Sequence, residues 1–101
     1  MDIETIRRKV RLNEYVYTEH ADIERQEDSL TFAQIEEALL NGTILEQYAD
    51  QGRGESCLVV GFGGETPVHV VCGWRGERIV LITVYSPRPP KFKDPWTRFG
   101  G

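Results

Sequence analysis

The sequence has 101 residues, a formal net charge of −4 and 40% hydrophobic residues, which suits one domain with one core. No apolar stretch approaches the roughly 20 residues that span a bilayer. The start of the chain lacks the apolar segment of a secretory signal, so we expect a cytoplasmic protein. Cys57 and Cys72 form no CxxC pair, which predicts two buried thiols, no zinc site and no cofactor.

Charge is distributed unevenly along the chain. Residues 19–55 contain ten acidic and two basic residues, a net charge of −8, whereas residues 74–101 contain six basic and two acidic residues, a net charge of +4. We therefore expect an anionic substrate to meet the sheet and the C-terminal part rather than the helical middle. The acidic balance of the whole chain argues mildly against a nucleic-acid binder.

Three helices are predicted in the first part of the chain. The first covers Asp2–Asn13, and the second covers Glu19–Glu27 with Thr18 as its N-cap. The third begins with a capping box between Thr31 and Gln34 and runs through Leu40. Helical spacing predicts the following buried residues: Ile3, Ile6, Val10, Phe32, Ile35, Ala38 and Leu39.

Four strands are predicted to follow the helices. Thr43–Tyr48 is expected at the sheet edge, and Cys57–Phe62, Val68–Trp74 and Ile79–Tyr85 follow as a meander with short glycine-containing connections. Helices gathered before such strands predict an α+β fold, with N-terminal helices packed on a four-stranded antiparallel meander. The short segment from Tyr15 is expected to be extended.

The ends of these elements carry further expectations. Gly42 is expected to end the third helix with a positive φ. Four prolines between Ser86 and Pro95 predict that the tail, residues 89–101, is extended. We expect Trp96 and Phe99 to fold back onto the body. The whole chain, 1–101, is predicted to be a single domain, with residues 1–14 as an N-terminal helix.

An ordered set of motifs resembles a known family. The motifs are Thr18-Glu19-His20-Ala21, Arg25, residues 35–42, Tyr48, Arg53, residues 56–61, residues 67–71 and residues 82–87. Together, over about residues 15–88, they resemble an uncharacterised prokaryotic domain family that is similar to RelE-like toxins. The resemblance implies a RelE/barnase-like α+β ribonuclease fold. It also implies a partner, a small zinc-finger protein of antitoxin type.

The resemblance directs attention to the groups that a metal-free ribonuclease needs. One group takes the proton of the 2′-OH, another protonates the leaving oxygen, and a cation stabilises the developing charge. We assign His20 and His69 as the acid/base pair, Arg25 as the charge stabiliser and Tyr85 as the substrate-facing phenol. Guanidinium groups can hold two phosphate oxygens, so the predicted substrate-binding residues are Arg53, Arg88 and Arg98.

Each catalytic candidate also has a structural interpretation. His69 lies among valines, as a hydrogen-bonded structural histidine does, and His20 is able to cap its helix. Arg25 is able to pair with acids of its own helix, and Tyr85 is able to lie at the rim of the core.

The connection between the last two strands decides whether His69 and Tyr85 share a sheet face. A three-residue loop, Arg75–Glu77, places both side chains on the same face. A two-residue Gly76-Glu77 turn, with glycine first as a type II′ turn favours, places them on opposite faces. The sequence permits both registers, and the catalytic hypothesis requires the first.

Two functions are compatible with the sequence. The first is a metal-independent endoribonuclease toxin of a toxin–antitoxin pair, which requires His20 and His69 to meet in a solvent-reachable hollow. The second is a non-catalytic binding module of the same fold that acts through protein–protein contacts, and a homodimer is compatible with it. The two histidines and the arginines favour the first function, and the acidic middle favours the second.

Overall fold

The computed structural model describes residues 1–98 and shows three helices with one main sheet. The helices are α1 (Ile3–Arg11), α2 (Glu19–Glu27) and α3 (Phe32–Asn41). The strands are β1 (Tyr15–Tyr17), β2 (Thr43–Tyr48), β3 (Ser56–Gly63), β4 (Thr66–Arg75), β5 (Arg78–Tyr85), β6 (Phe92–Asp94) and β7 (Thr97–Arg98). The α+β class is confirmed.

Side-chain caps define where the helices begin. The side chains of Asp2 and Thr18 accept hydrogen bonds from the backbone of α1 and α2. The predicted capping box is present on α3, where Thr31 and Gln34 satisfy each other's backbone amides. These bonds satisfy donors that the first helical turn leaves without an intrahelical partner.

The main sheet has five strands in the order β1-β5-β4-β3-β2, with β2 at an edge. It is not the predicted four-stranded antiparallel sheet, because β1 pairs in parallel with β5, Tyr15 opposite Ile79. The remaining neighbours pair antiparallel. Parallel pairing joins segments far apart in sequence, so the local pattern around Tyr15 indicated an extended segment but not its partner.

Helix α2 completes the edge of β5 beyond the end of β1. The Thr18 hydroxyl donates to the carbonyl of Ile82 at 3.0 Å. The amide of Val84 donates to Glu24 at 3.2 Å, and the amide of Ser86 donates to the Asp28 carboxylate at 2.8 Å. Side chains of this helix and its caps thus replace the hydrogen bonds that a longer edge strand would make.

The core lies between the helices and one face of the sheet. Its fully buried side chains include Ile6, Val10, Ala21, Ile35, Ala38, Leu39, Val59, Val70, Leu81 and Val84. Phe32, which was predicted to be buried, is 52% exposed, because it lies at the first position of α3 against Tyr17 and Arg25.

Glycines let α3 approach the sheet closely. A Cβ added at Gly61 would overlap the Ala38 carbonyl oxygen and would lie 2.6 Å from its carbonyl carbon. The predicted positive φ at Gly42 is wrong, because this residue is extended with φ −79°. Gly42 is needed for space instead, since an added Cβ would lie 2.7 Å from the carbonyl oxygen of Val60.

The prolines suggested an extended tail, but part of the tail folds into a hairpin. Residues 92–98 form the hairpin β6-β7, which packs back on the sheet. The ring of Trp96 lies 5.8 Å from that of Phe62, although Trp96 itself remains 51% exposed. Phe99 lies outside the described residues.

The two cysteines lie opposite each other on neighbouring strands. Cys57 on β3 pairs with Cys72 on β4, and both are free and buried. Burial raises the pKa of the Cys57 thiol to about 11 and raises that of the Cys72 thiol well above its ordinary value. Both thiols are therefore protonated at neutral pH.

Candidate active site

The face of the sheet opposite the helices, called here the second face, carries the candidate site. Side chains alternate along strands, so His69 lies on this face between the core residues Val68 and Val70. Five polar residues of the second face and the tail define a polar cluster: Glu46, Tyr48, His69, Tyr85 and Arg98. Only His69, Tyr85 and Arg98 were predicted as site residues.

His69 is the innermost member of the polar cluster, and its side chain has 0% exposure. Its Nε2 lies 2.6 Å from the carbonyl oxygen of Pro95, and its Nδ1 lies 3.1 Å from the hydroxyl of Tyr85. A carbonyl can only accept, so Nε2 donates and Nδ1 accepts from the phenol. Burial is the main cause that lowers the pKa of His69, which favours this neutral form.

A β-bulge brings Tyr85 to the same face as His69. The connection to β5 is the two-residue turn, with Gly76 at φ 63° and Trp74 paired with Ile79. That register alone would place Tyr85 on the opposite face. The register shifts by one residue at Ile82, and beyond this bulge His69 pairs directly with Tyr85. A single extra residue therefore restores the shared face.

The outer part of the polar cluster is an ion pair. The guanidinium of Arg98 donates to both carboxylate oxygens of Glu46, at 2.9 and 3.1 Å, and the Tyr48 hydroxyl donates to the same carboxylate at 2.5 Å. Hydrogen bonds from Arg98 and then from Tyr48 lower the pKa of Glu46 to about 2. Burial and the bond to Glu46 raise the pKa of Tyr48 to about 12.

The tail hairpin closes the polar cluster from above. Phe92 is buried and makes an edge contact with the His69 ring at 4.5 Å. The Arg98 guanidinium lies over the Phe92 ring, 4.8 Å from its centroid. His69 is therefore separated from solvent by the hairpin, which differs from the expectation that it lines a solvent-reachable hollow. The side chains of Arg98 and Glu46 stay 45% and 31% exposed.

His20 and Arg25 lie on α2 rather than in the polar cluster. The His20 side chain is 69% exposed, with Nε2 3.2 Å from Glu24. Both ring nitrogens of His69 are bonded elsewhere, so no hydrogen bond joins the two histidines. Arg25 pairs with Asp22 at 2.7 Å and stacks on Phe32. The structure thus places these two candidates apart from Arg98 in separate local interactions.

The two remaining predicted arginines also differ in their surroundings. Arg88 pairs with Asp28 at 3.2 Å, beside the point where Asp28 caps the chain at Ser86. Arg53 lies in the loop between β2 and β3, where it lines a cavity of about 670 Å³ together with Tyr48. Tyr48 therefore belongs both to the lining of that cavity and to the polar cluster.

Sequence reasoning missed the contributions of β2 and of the tail backbone. Glu46 and Tyr48 alternate on one strand, and this spacing could have placed both on one face. No sequence pattern indicated that the Pro95 carbonyl would bind His69. Among residues 1–98, no group of three or more His, Cys, Asp or Glu side chains is arranged to hold a metal ion, and no helix is long and apolar enough to cross a membrane.

The fold and the polar cluster define an α+β protein with a five-stranded mixed sheet whose second face is covered by a C-terminal hairpin. Residues 17–86 match the model of a family described as a domain of unknown function, DUF4258. The match spans more than half of the chain, which therefore belongs to this family. No curated protein and no solved structure gives a significant match.

Proposed function

We propose that this protein is a metal-independent endoribonuclease, on a fold related to that of RelE-like toxins, whose reactive groups are Glu46 and Arg98. The observation that supports the proposal is the bidentate pair of these side chains beside Tyr48. The pair is partly exposed at the rim of the polar cluster. A carboxylate, a guanidinium and a phenol can serve as the base, the cation and the acid that the reaction needs.

Substrate binding itself activates the carboxylate in this proposal. A guanidinium binds a phosphodiester through two oxygens, so an RNA phosphate competes with Glu46 for Arg98. Loss of the ion pair raises the pKa of Glu46 from about 2 toward its ordinary value of 4.5, which makes the carboxylate a better acceptor for the 2′-OH proton. Arg98 then stabilises the charge on the pentacoordinate phosphorus.

Tyr48 is the acid that we assign to the leaving 5′-oxygen. Its pKa of about 12 keeps the phenol protonated at neutral pH, and it already donates to Glu46. Attack by the 2′-OH limits the substrate to RNA, because DNA lacks this group. His69 and Tyr85 are positioning residues in this scheme, since they hold the tail that carries Arg98.

The proposal also includes a protein partner that inhibits the enzyme. The resemblance to RelE-like toxins implies a small zinc-finger protein of antitoxin type that holds the enzyme inactive. The acidic segment 19–55 would attract a partner with a basic surface.

The test measures cleavage of a 5′-labelled single-stranded RNA by the purified protein in excess EDTA, both alone and in a translating extract. We expect cleavage by the wild type and a rate at least about 100-fold lower for Glu46→Gln. Glu77→Gln, in the exposed β4–β5 turn, is the matched control and should cleave at the wild-type rate. Equal rates for the two variants, or no cleavage by folded wild type under either condition, would refute the proposal.

The second candidate is a non-catalytic binding module of the same fold, alone or as a homodimer. The burial of His69 under the hairpin favours it, as does the neutralisation of Arg98 by Glu46. It predicts that the folded wild type leaves RNA intact in the same assay. A complex with a partner protein would then survive Glu46→Gln unchanged.

A further inference from the structure

The cavity between β2 and β3 has the size of a small-molecule site and a mainly polar lining. Its volume is about 670 Å³, within the range of ligand pockets in proteins. Polar residues line it, among them Gln51, Arg53 and Ser56, and Tyr48 also belongs to the lining. The residues that line the cavity therefore include one that carries a positive charge and one that is aromatic.

The loop that forms this cavity has a defined shape. The Asp50 carboxylate accepts hydrogen bonds from the amides of Gly52 and Gly54, both at 2.8 Å. These glycines have φ values of 96° and 87°, in the left-handed region that other residues rarely adopt. The side chain of Arg53 is thus carried by a folded turn beside the cavity.

Arg53 differs from the other arginines that the sequence suggested as catalytic or substrate-binding residues. Those pair with carboxylates of this chain: Arg25 with Asp22, Arg88 with Asp28 and Arg98 with Glu46. No carboxylate of residues 1–98 forms an ion pair with Arg53. The nearby Glu55 binds the Trp74 indole at 3.0 Å and the N-terminal amine at 3.5 Å, so its carboxylate is already occupied.

We propose that this cavity binds a nucleotide, with its phosphate on Arg53 and its base against Tyr48. A guanidinium without a carboxylate partner matches a phosphate, and an aromatic ring stacks on a base of any sequence. Gln51 and Ser56 supply further hydrogen-bonding groups. The inference rests on the proposed function in that Tyr48 belongs to both sites, so the cavity holds the nucleotide next to the bond that is cut.

The test is titration of the ¹⁵N-labelled full chain with adenosine 5′-monophosphate, followed by backbone amide chemical shifts. We expect saturable shifts within residues 47–56 and an affinity for Arg53→Ala at least about tenfold lower. Arg75→Ala, at the exposed C-terminal end of β4, is the matched control and should bind as the wild type does. Adenosine and ribose 5-phosphate separate the contributions of base and phosphate, and each should bind more weakly than the nucleotide.

Several outcomes would overturn the inference. They are an absence of shifts in residues 47–56, an equal loss of affinity in both arginine variants, or binding of adenosine as tight as that of the nucleotide. The Glu46→Gln variant separates the test of the cavity from the test of the endoribonuclease, because this variant should bind the nucleotide but not cut RNA. Nucleotide binding without RNA cleavage by the wild type would refute the endoribonuclease alone, whereas cleavage without nucleotide binding would refute the cavity alone.

Discussion

Acid should weaken the ion pair between Glu46 and Arg98 in a way that can be measured. Hydrogen bonds lower the pKa of Glu46 from 4.5 to about 2 in the folded protein. Because the folded-state pKa is depressed, the contribution of the pair to folding stability is fully present above about pH 4.5. It is lost as the pH falls through about 2.

The size of this contribution follows from the pKa and from the exposure of the pair. The difference between 4.5 and about 2 corresponds to an upper limit of roughly 3 kcal/mol. The two side chains are 31% and 45% exposed, and water screens pairs of this kind strongly. We therefore expect about 1–2 kcal/mol.

The assay is urea unfolding of the wild type and of Glu46→Gln at a series of pH values from 2 to 7. The difference in unfolding free energy between the two proteins should shrink by about 1–2 kcal/mol between pH 4.5 and pH 2. Asp2, Asp50 and Asp94 also have lowered pKa values, but they titrate in both proteins and cancel. A difference that stays constant over this range would refute the ion pair as described.

Three further predictions concern the fold and the hairpin. Gly61→Ala should destabilise the protein by about 3 kcal/mol or more in urea, because backbone atoms of Ala38 occupy the space of the new Cβ. Gly64→Ala, which adds a Cβ in open space at φ 64°, should cost only about 1 kcal/mol, and equal costs would contradict the close approach of α3. His69→Phe keeps a ring against Phe92 but removes the hydrogen bond to the Pro95 carbonyl. Trypsin should therefore cut the tail of this variant at least about tenfold faster than that of the wild type. An unchanged rate of cutting would show that His69 does not hold the hairpin. Thr31→Ala removes the cap of α3 and should cost about 1 kcal/mol in urea, whereas an unchanged midpoint would argue against the capping box.

Local physical chemistry made the helix starts predictable. The caps at Thr18 and Thr31 depend on residues only three positions away, and the structure forms both. The partner of β1 was not predictable in the same way, because its parallel partner β5 lies about 60 residues further along the chain. Periodicity predicted the buried residues of α1 and α3, except that Ile3 is only partly buried and Phe32 is exposed. It did not identify Ala21, the buried residue of α2.

The relation between His69 and Tyr85 shows why register is difficult to predict. The sequence permitted both connections, and the structure has the two-residue one. The bulge at Ile82 then moves Tyr85 back to the sheet face that carries His69. Nothing in the sequence indicates a bulge at that residue. Local turn chemistry thus fixes one end of a strand pair without fixing the other.

The site was predicted only in part for a similar reason. His69, Tyr85 and Arg98 meet because the tail folds back over the second face, whereas the prolines predicted an extended tail and only Trp96 and Phe99 were expected to fold back onto the body. Glu46 was predicted only as part of the edge strand Thr43–Tyr48, and its partner Arg98 is 52 residues away. The contacts that build the polar cluster are long-range, and local patterns do not determine them.

The chemistry of the RNA ends tests the central claim most directly. Fragments made by the wild-type protein in EDTA would be analysed by mass spectrometry, with a matched RNA that carries a single 2′-deoxy sugar at the cut position. Attack by the 2′-OH predicts a 2′,3′-cyclic phosphate on the upstream fragment and no cut in the deoxy RNA. Cleavage of the deoxy RNA, or upstream fragments that end in a 3′-hydroxyl, would contradict the assignment of Glu46 and Arg98.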